Sequence, residues 1–427
     1  MFYKITLFSF IVTFLPLFLN PLLGQDDRNI VILEHADSLV TFEINGQEVR
    51  QLIGNVIMSQ GKTIITCSRA THFLESNIVE MDGVVEVKDD TMRLVSARGK
   101  YYVNHKIAEA YDRVMLQDQT TYLTALYGKY YAEEKRAHFK GNVYIEDTTS
   151  TITSDEVQYY RENGKAVADG NVKIVTQRNR LTVIGGHLEN YRNERYSKVT
   201  QNPMLIQIDV NTNGKYDTLF VSALMLESFR DSMERLIATD SVKIFREGLS
   251  AQAGLCVYYT DADSIELKNS PYIWYQSDSL DQNQVSGEEI YIKLQNRKLK
   301  TVHVRERAVA ISRADTTLTN RFNQMTGRAI VLHFSDNKIR EINVVKTATS
   351  LYYLFDKNVP NGMNITTGDQ IDITFLDGKI DKIKGISGIE GKYYPEKLIA
   401  GKEYEFNLPE FNWKTDRPAR PVDARIK

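Results

Sequence analysis

The feature that most constrains the fold of this chain is an internal repeat of 29 residues. Four columns of residues recur at this interval through five consecutive units without an insertion. Self-similarity at a fixed period is the signature of repeat architectures, in which each unit buries its apolar face only against its neighbours. The columns are Val56, Val85, Val114, Val143 and Val172; Met58, Val87, Leu116, Ile145 and Ile174; Ile65, Leu94, Leu123, Ile152 and Leu181; and Cys67, Ser96, Ala125, Ser154 and Val183.

Within each unit the apolar positions are two residues apart, which indicates strands. Residues 143–146 alternate apolar with polar side chains, as a strand with one buried face does. Gly-Asn pairs stand ahead of the first column at 54–55, 141–142 and 170–171, where a positive φ costs little and the chain can reverse. The pattern therefore predicts two or three short strands per unit, separated by turns.

Two all-β architectures satisfy this pattern. One is an elongated antiparallel β-jelly roll built from tandem repeats, and the other is a parallel β-helix. Turn signals after nearly every short strand favour antiparallel hairpins, so the jelly roll is the prediction and the β-helix its alternative. We expect a regular repeat region over 25–200, an irregular continuation of the stack or a second lobe over 201–395, and an extended, proline-containing tail over 396–427.

The first 24 residues are typical of a secretory signal peptide. A single lysine precedes an almost unbroken apolar run, and Gly24 is a suitable small residue at a cleavage site. An uncleaved anchor of about 20 residues is the alternative. Pro16 and Pro21 interrupt the run and favour cleavage, so we expect an exported chain.

Composition excludes several classes of function. The 53 basic and 55 acidic residues nearly balance, which argues against a nucleic-acid partner. Two cysteines and seven scattered histidines predict neither a disulfide scaffold nor a histidine-rich metal centre. Cys67 and Cys256 lie too many units apart to form a disulfide.

No sequence motif for catalysis or for a cofactor stands out. The chain has no HExxH, CxxC or phosphate-binding loop. Residues 209–214 resemble the opening of a calcium loop, but Phe220 occupies the position of its acidic closing ligand, and Asn213–Gly214 is interpreted as a hairpin turn. We therefore predict no enzymatic activity, no cofactor and no metal site.

The best-preserved units point to a family. Residues 152–155 read Ile-Thr-Ser-Asp, and residues 166–174 read Ala-Val-Ala-Asp-Gly-Asn-Val-Lys-Ile. Tandem units of this kind behind a signal peptide resemble the OstA-like domain of lipopolysaccharide-transport proteins, the family of LptA and LptC. The resemblance is clear from about Ile53 to Val199 and fades towards Gly385.

The resemblance implies a non-enzymatic periplasmic protein that holds lipopolysaccharide acyl chains in an apolar trough and takes part in lipopolysaccharide transport and outer-membrane assembly. Its lipid-binding residues would be those of the first three columns. Its partners would be lipopolysaccharide and other Lpt-type envelope proteins, joined through edge strands, and end-to-end self-association and association with the outer membrane stay open. A trough is physically reasonable because each exposed methylene costs about 0.8 kcal/mol in water.

Two alternatives remain at the level of sequence. The apolar columns could form a core that binds nothing. The chain could also be an exported repeat protein that binds or degrades a polysaccharide on a β-helix, with carboxylates lining an exposed face. Strand direction distinguishes the lipid-binding protein from the polysaccharide-binding or polysaccharide-degrading one, because the latter requires the parallel coils of a β-helix.

Overall fold

A computed structural model describes residues 31–176, 181–210, 216–276, 282–295, 298–315, 318–335, 338–357, 359–376 and 379–422. The predicted signal peptide and the predicted Asn213–Gly214 turn lie outside these residues. Contacts divide the chain into an N-terminal unit that ends at Pro203 and a C-terminal unit that begins at Met204. Both units consist almost wholly of strands.

The described part of the N-terminal unit contains a short 3-10 helix at Val103–His105 and thirteen strands. The strands are β1 (Ile32–His35), β2 (Ser38–Ile44), β3 (Gln47–Gln60), β4 (Thr63–Phe73), β5 (Ile78–Lys88), β6 (Met92–Tyr102), β7 (Ile107–Asp118), β8 (Tyr122–Tyr131), β9 (Arg136–Glu146), β10 (Ser150–Tyr160), β11 (Lys165–Thr176), β12 (Leu181–Tyr191) and β13 (Tyr196–Thr200).

The described part of the C-terminal unit contains fifteen strands, one turn of helix and a 3-10 helix at Glu403–Phe406. These elements are β14 (Met204–Val210), β15 (Tyr216–Ser222), β16 (Met225–Phe229), β17 (Arg235–Arg246), β18 (Leu249–Tyr259), β19 (Ser264–Lys268), β20 (Tyr272–Tyr275), β21 (Asn283–Ser286), β22 (Glu289–Gln295), β23 (Lys298–Arg313), β24 (Phe322–Ser335), β25 (Lys338–Asp356), β26 (Val359–Leu376), β27 (Lys379–Ile386), β28 (Glu390–Tyr394) and α1 (Glu396–Ile399).

Strand direction decides between the two predicted architectures. From β3 to β13 each strand pairs with the next in an antiparallel hairpin, and β17 with β18 and β23 to β27 continue this arrangement. The antiparallel β-jelly roll is confirmed. The parallel β-helix alternative is wrong, because the strand pairings of the described residues are antiparallel.

Each 29-residue unit holds two strands, and each long strand is bent at its middle. In β11 the pairing register shifts between Asp169 and Val172, where Gly170 has φ +75° and Asn171 has φ +46°. The Gly-Asn pairs therefore bend a strand, and the prediction that they reverse the chain is wrong. Two residues in the left-handed region suit a bulge as well as a hairpin turn, so sequence alone does not separate the two.

The bends give each long strand two halves, which form two arms of the sheet. We call the arm that carries the predicted columns, such as residues 143–146, the column arm, and the other, such as residues 136–140, the opposite arm. The arms enclose an apolar interior. In the first units Val56, Cys67 and Val85 of the column arm form one buried cluster with Ala70 and Met81 of the opposite arm.

The C-terminal unit repeats the bend with other residues. Pairs with positive φ occur at Asp240–Ser241, Glu306–Arg307 and Lys346–Thr347, each at a register shift. Its core combines small and branched residues such as Ala308, Ile330 and Val344, each fully buried. Both cysteines are free and buried, as expected, and burial raises the pKa of the Cys67 thiol to about 11.

Residues 395–422, which we call the C-terminal strap, cross the strands of the C-terminal unit. The strap packs on side chains such as Val309 and Ile311, which alternate with core residues Ala308 and Ala310 and therefore lie on the outer face. Ser250 donates a hydrogen bond to the carbonyl of Pro418 at 2.9 Å. The predicted extended tail at 396–427 begins with helix α1 instead, and from 407 onwards the described strap has a turn at 409–410 and no helix or strand.

Candidate lipid-binding interior

The predicted columns lie side by side on the interior face of the column arm. Residues paired across antiparallel strands share a face of the sheet. Met58 pairs with Ile65, Ile65 with Val87, and Val87 with Leu94. The row continues without a gap through Leu116, Leu123, Ile145, Ile152 and Ile174. Apart from Leu181, the second and third columns are therefore one continuous row across nine strands, β3 to β11.

The first column forms a parallel row closer to the bend. Val56, Val85, Val114, Val143 and Val172 each precede the row residue of the same strand by two positions and are 1–2% exposed. Leu181 is the exception among the predicted residues. It pairs with Thr176, two pairs beyond the Ile174–Val183 pair, although it is also buried.

Burial changes along the row. From Leu116 to Ile174 the side chains are at most 5% exposed, whereas Ile65, Val87 and Leu94 are only half-buried. At the start of the row, Leu33 pairs with Met58 and is 45% exposed. The interior is therefore closed by its own side chains in the later units and open at the end formed by β1 and β2, which we call the open end.

The opposite arm contributes interior residues that the sequence reasoning did not identify as a lining. They also recur every 29 residues, in one column whose residues alternate in size and one column of tyrosines. A Cβ atom on Gly128 would lie 3.2 Å from the ring of Phe139 and 3.4 Å from Val114 of the column arm. Glycine thus makes room for a large neighbour. The columns are Met81, Ala110, Phe139 and Ala168, and Tyr101, Tyr130 and Tyr159.

Charged groups lie on the outer face and neutralise one another. The Glu109 carboxylate accepts hydrogen bonds from Tyr127 and Tyr102 and from Tyr111, and it pairs with Lys129 at 2.9 Å. Although burial opposes it, these donors hold the pKa of Glu109 below its usual value. Among the described residues there is no group of three or more side chains that could hold a metal ion. The interior is lined mainly by apolar side chains, with a few small buried polar ones such as Ser96 and Ser154.

A second carboxylate of the outer face predicts a pH dependence of stability. Hydrogen bonds from Lys198, and further ones from Lys165 and Tyr191, lower the pKa of Glu189 to about 2 against the opposing effect of burial. Because the pKa is lower in the folded protein, this stabilisation is present above about pH 4.5 and is lost as the pH falls towards 2. We expect the free energy of unfolding of Glu189→Gln, measured by urea denaturation, to fall less steeply between about pH 4.5 and pH 2 than that of the unchanged protein.

The exposed turn residue Glu194 offers a matched control. Glu194→Gln removes a carboxylate from the same unit but leaves the hydrogen bonds of Glu189 intact. Its free energy of unfolding should therefore fall with pH as steeply as that of the unchanged protein. The prediction would be contradicted if the free energy of unfolding of the Glu189 variant fell with pH as steeply as that of the unchanged protein.

Parts of this chain are similar to known protein families and to a solved structure. Residues 28–183 match the family model described as OstA-like protein, and residues 133–298 match the model described as LptA/(LptD N-terminal domain) LPS transport protein. No curated protein sequence matches the chain. Among solved structures the chain is similar to LptH of Pseudomonas aeruginosa, the LptA homologous periplasmic component of a lipopolysaccharide transport device, at 18% identity over 28% of this chain and 82% of that chain, with a TM-score of 0.25.

In the part of the chain that the structure describes, no helix is both long and apolar enough to span a membrane.

Proposed function

We propose that this chain, whose residues 28–183 match an OstA-like family model and whose residues 133–298 match an LptA-type lipopolysaccharide-transport model, binds the acyl chains of lipopolysaccharide between the arms of its N-terminal unit. The observation that carries the proposal is the continuous apolar row that begins exposed at Leu33 and ends buried at Ile174. Its lining is the predicted set of three columns. The chain carries out no chemical step in this function.

The energetics favour such a row over a single pocket. Each methylene that leaves water contributes about 0.8 kcal/mol, so several acyl chains need a long shielded surface. Branched and thioether side chains of similar polarity line every strand, so a hydrocarbon tail meets nearly the same environment at each step. Methionines such as Met58 and Met81 adapt to variable chain packing, since their side chains are unbranched and polarisable.

The open end is the proposed site of lipid transfer. Leu33 is 45% exposed and Leu39, which pairs with the interior residue Leu52, is 58% exposed. Further along, the arms already contact each other, so acyl chains advance there by displacing side chains from between the arms. Transfer at the open end needs no such displacement, because Ile65, Val87 and Leu94 are only half-buried.

Photo-crosslinking tests this function. A photoreactive amino acid at Leu94 faces the interior, and one at Val95 faces the opposite side of the same strand with similar burial, which makes it a matched control. In cells that make lipopolysaccharide, we expect Leu94 to capture lipid A-containing material at least tenfold more than Val95. Equal capture at the two positions, or none at Leu94, would overturn the proposal.

The same end is proposed to bind another Lpt-type protein. β1 and β2 each pair with β3 and have no second strand neighbour among the described residues, so their outer edges carry unpaired backbone groups. Exposed Ile32 and Val40 leave this edge apolar. Natural proteins usually protect such edges, and an unprotected one serves strand addition. A second copy of this chain is the alternative occupant.

A charge on the edge strand should weaken this docking. Val40 is 44% exposed, so Val40→Lys is expected to change the free energy of unfolding by less than about 0.5 kcal/mol. Lysine at an edge opposes strand pairing, and we expect at least tenfold weaker binding of an LptA-type partner in a surface-binding assay. Val40→Thr keeps the β-branched shape and should bind normally. Unchanged binding of the lysine variant would refute edge pairing.

The proposed location is the periplasm, reached through cleavage of residues 1–24, with attachment to the outer membrane through a partner. No observation favours the alternative of a polysaccharide-degrading protein. That function was predicted for a parallel β-helix with an acidic groove, and the strands are antiparallel.

A further inference from the structure

A second, chemically different cavity lies between the C-terminal strap and the outer face of the C-terminal unit. It has a volume of about 230 Å³, below the ~300–1,000 Å³ of pockets for drug-sized ligands. It therefore suits one small polar molecule. Its lining includes Trp274, Tyr275 and Arg313 from the strands and Trp413, Lys414 and Arg417 from the strap.

The walls of this strap cavity are held by buried hydrogen bonds. Gln284 is 3% exposed; its side chain donates to the carbonyl of Lys414 at 2.7 Å and accepts from the Lys414 backbone N–H at 3.0 Å. Trp274 is 4% exposed, and its indole N–H donates to the same carbonyl at 3.3 Å. The strap is thus fixed on the sheet with its side chains beside the cavity.

Three cations around the cavity have neutral partners. Arg313 lies over the Trp413 ring at 5.3 Å and donates to Gln282 at 2.8 Å. Arg417 donates to Ser250 at 3.1 Å and to Gln276 at 2.8 Å. The Lys414 ammonium lies over the Tyr272 ring at 4.7 Å. Within the described ranges no ion pair to a carboxylate joins these three groups, so three cationic side chains with neutral partners surround the cavity.

The contrast with other arginines of the chain supports this reading. Hydrogen bonds donated to carboxylates raise the pKa of Arg93 and of Arg321, whereas burial lowers the pKa of Arg417. Arg417 is partly buried and has no carboxylate partner among the described residues, so a bound anion would reduce the cost of its burial.

We propose that the strap cavity binds a sugar that carries a phosphate group. The two indole rings offer apolar faces for the C–H side of a sugar ring, and Gln282 and Asn283 offer amides for its hydroxyl groups. Guanidinium groups match the geometry of phosphate oxygens. Both a free sugar phosphate and the phosphorylated sugar headgroup of a glycolipid carry this chemistry. The proposal does not rest on lipid binding in the N-terminal unit.

Intrinsic tryptophan fluorescence is a probe of this cavity, because the only two tryptophans of the sequence, Trp274 and Trp413, line it. The full-length protein is titrated with glucosamine 6-phosphate, and separately with glucosamine, inorganic phosphate and detergent-dispersed lipid A. We expect a saturable change in tryptophan emission with the sugar phosphate, at least tenfold weaker binding of glucosamine and of phosphate alone, and at least tenfold weaker binding in Arg313→Gln and Lys414→Gln.

Arg307→Gln is the matched control, since Arg307 is 78% exposed, pairs with Glu288 and lies outside the cavity lining. Its binding should equal that of the unchanged protein. A response to lipid A alone that is lost in Arg313→Gln also supports the proposal and identifies the ligand as a glycolipid headgroup. No response to either probe, equal binding of phosphate alone, or unchanged binding in both cavity variants would overturn it.

Discussion

Replacing Arg321 by alanine is expected to lower the free energy of unfolding by about 3–5 kcal/mol, because two carboxylates would lose their buried partner. Arg321 is 3% exposed and donates to Glu396 at 2.9 Å and to Glu403 at 3.1 Å. These bonds join the residue just before β24 to the start of the C-terminal strap. Truncation of the arginine leaves Glu403, itself 6% exposed, without its counter-charge.

Urea denaturation followed by tryptophan emission measures this effect, since Trp413 lies in the strap and Trp274 beneath it. Arg328→Ala is the control, because Arg328 forms an exposed ion pair with Glu306 and such pairs contribute about 0–1 kcal/mol. Equal losses in the two variants would show that the buried ion pair does not fix the strap.

Replacing Phe139 by alanine is expected to destabilise the N-terminal unit by about 3–5 kcal/mol, the range for removal of a buried aromatic side chain. Phe139 is 4% exposed and fills the interior beside Gly128. The cost combines lost burial with the cavity left behind. Thermal or urea unfolding of the full chain measures it, and Leu126→Ala, at a position 56% exposed, should change stability by less than about 0.5 kcal/mol.

The neighbouring glycine gives this prediction a second test. A Cβ at Gly128 would lie 3.2 Å from the Phe139 ring, so Gly128→Ala is crowded only while that ring is present. We expect Gly128→Ala to destabilise the unchanged chain but not the Phe139→Ala variant. Additive effects of the two substitutions would indicate that the ring does not occupy the described position.

The column arm could be predicted from sequence because its residues combine a fixed period with uniform chemistry. Val143 and Ile145 are large, branched and separated by one polar residue, which indicates both a strand and its buried face. The opposite arm keeps the same period, but Met81, Ala110 and Phe139 differ in size, so their column is visible only after the period is known. Their fit depends on glycines of neighbouring strands.

The strap could not be predicted in the same way. Its contacts join residues far apart in the chain, such as Gln284 to Lys414 and Ser250 to Pro418, and no periodicity links them. The outer-face residues beneath it, such as Trp274, read in the sequence as ordinary strand positions. Only the packing of the whole unit shows that they are covered.

The constant spacing of the bends has a consequence for how such a chain can change in evolution. A duplication or loss of one whole 29-residue segment would alter the interior by two strands, about 10 Å, and keep every remaining side chain on its original face. A single residue inserted within a strand half would move each following side chain of that half to the opposite face of the sheet. The length of the interior can therefore change in whole segments while its apolar lining is kept.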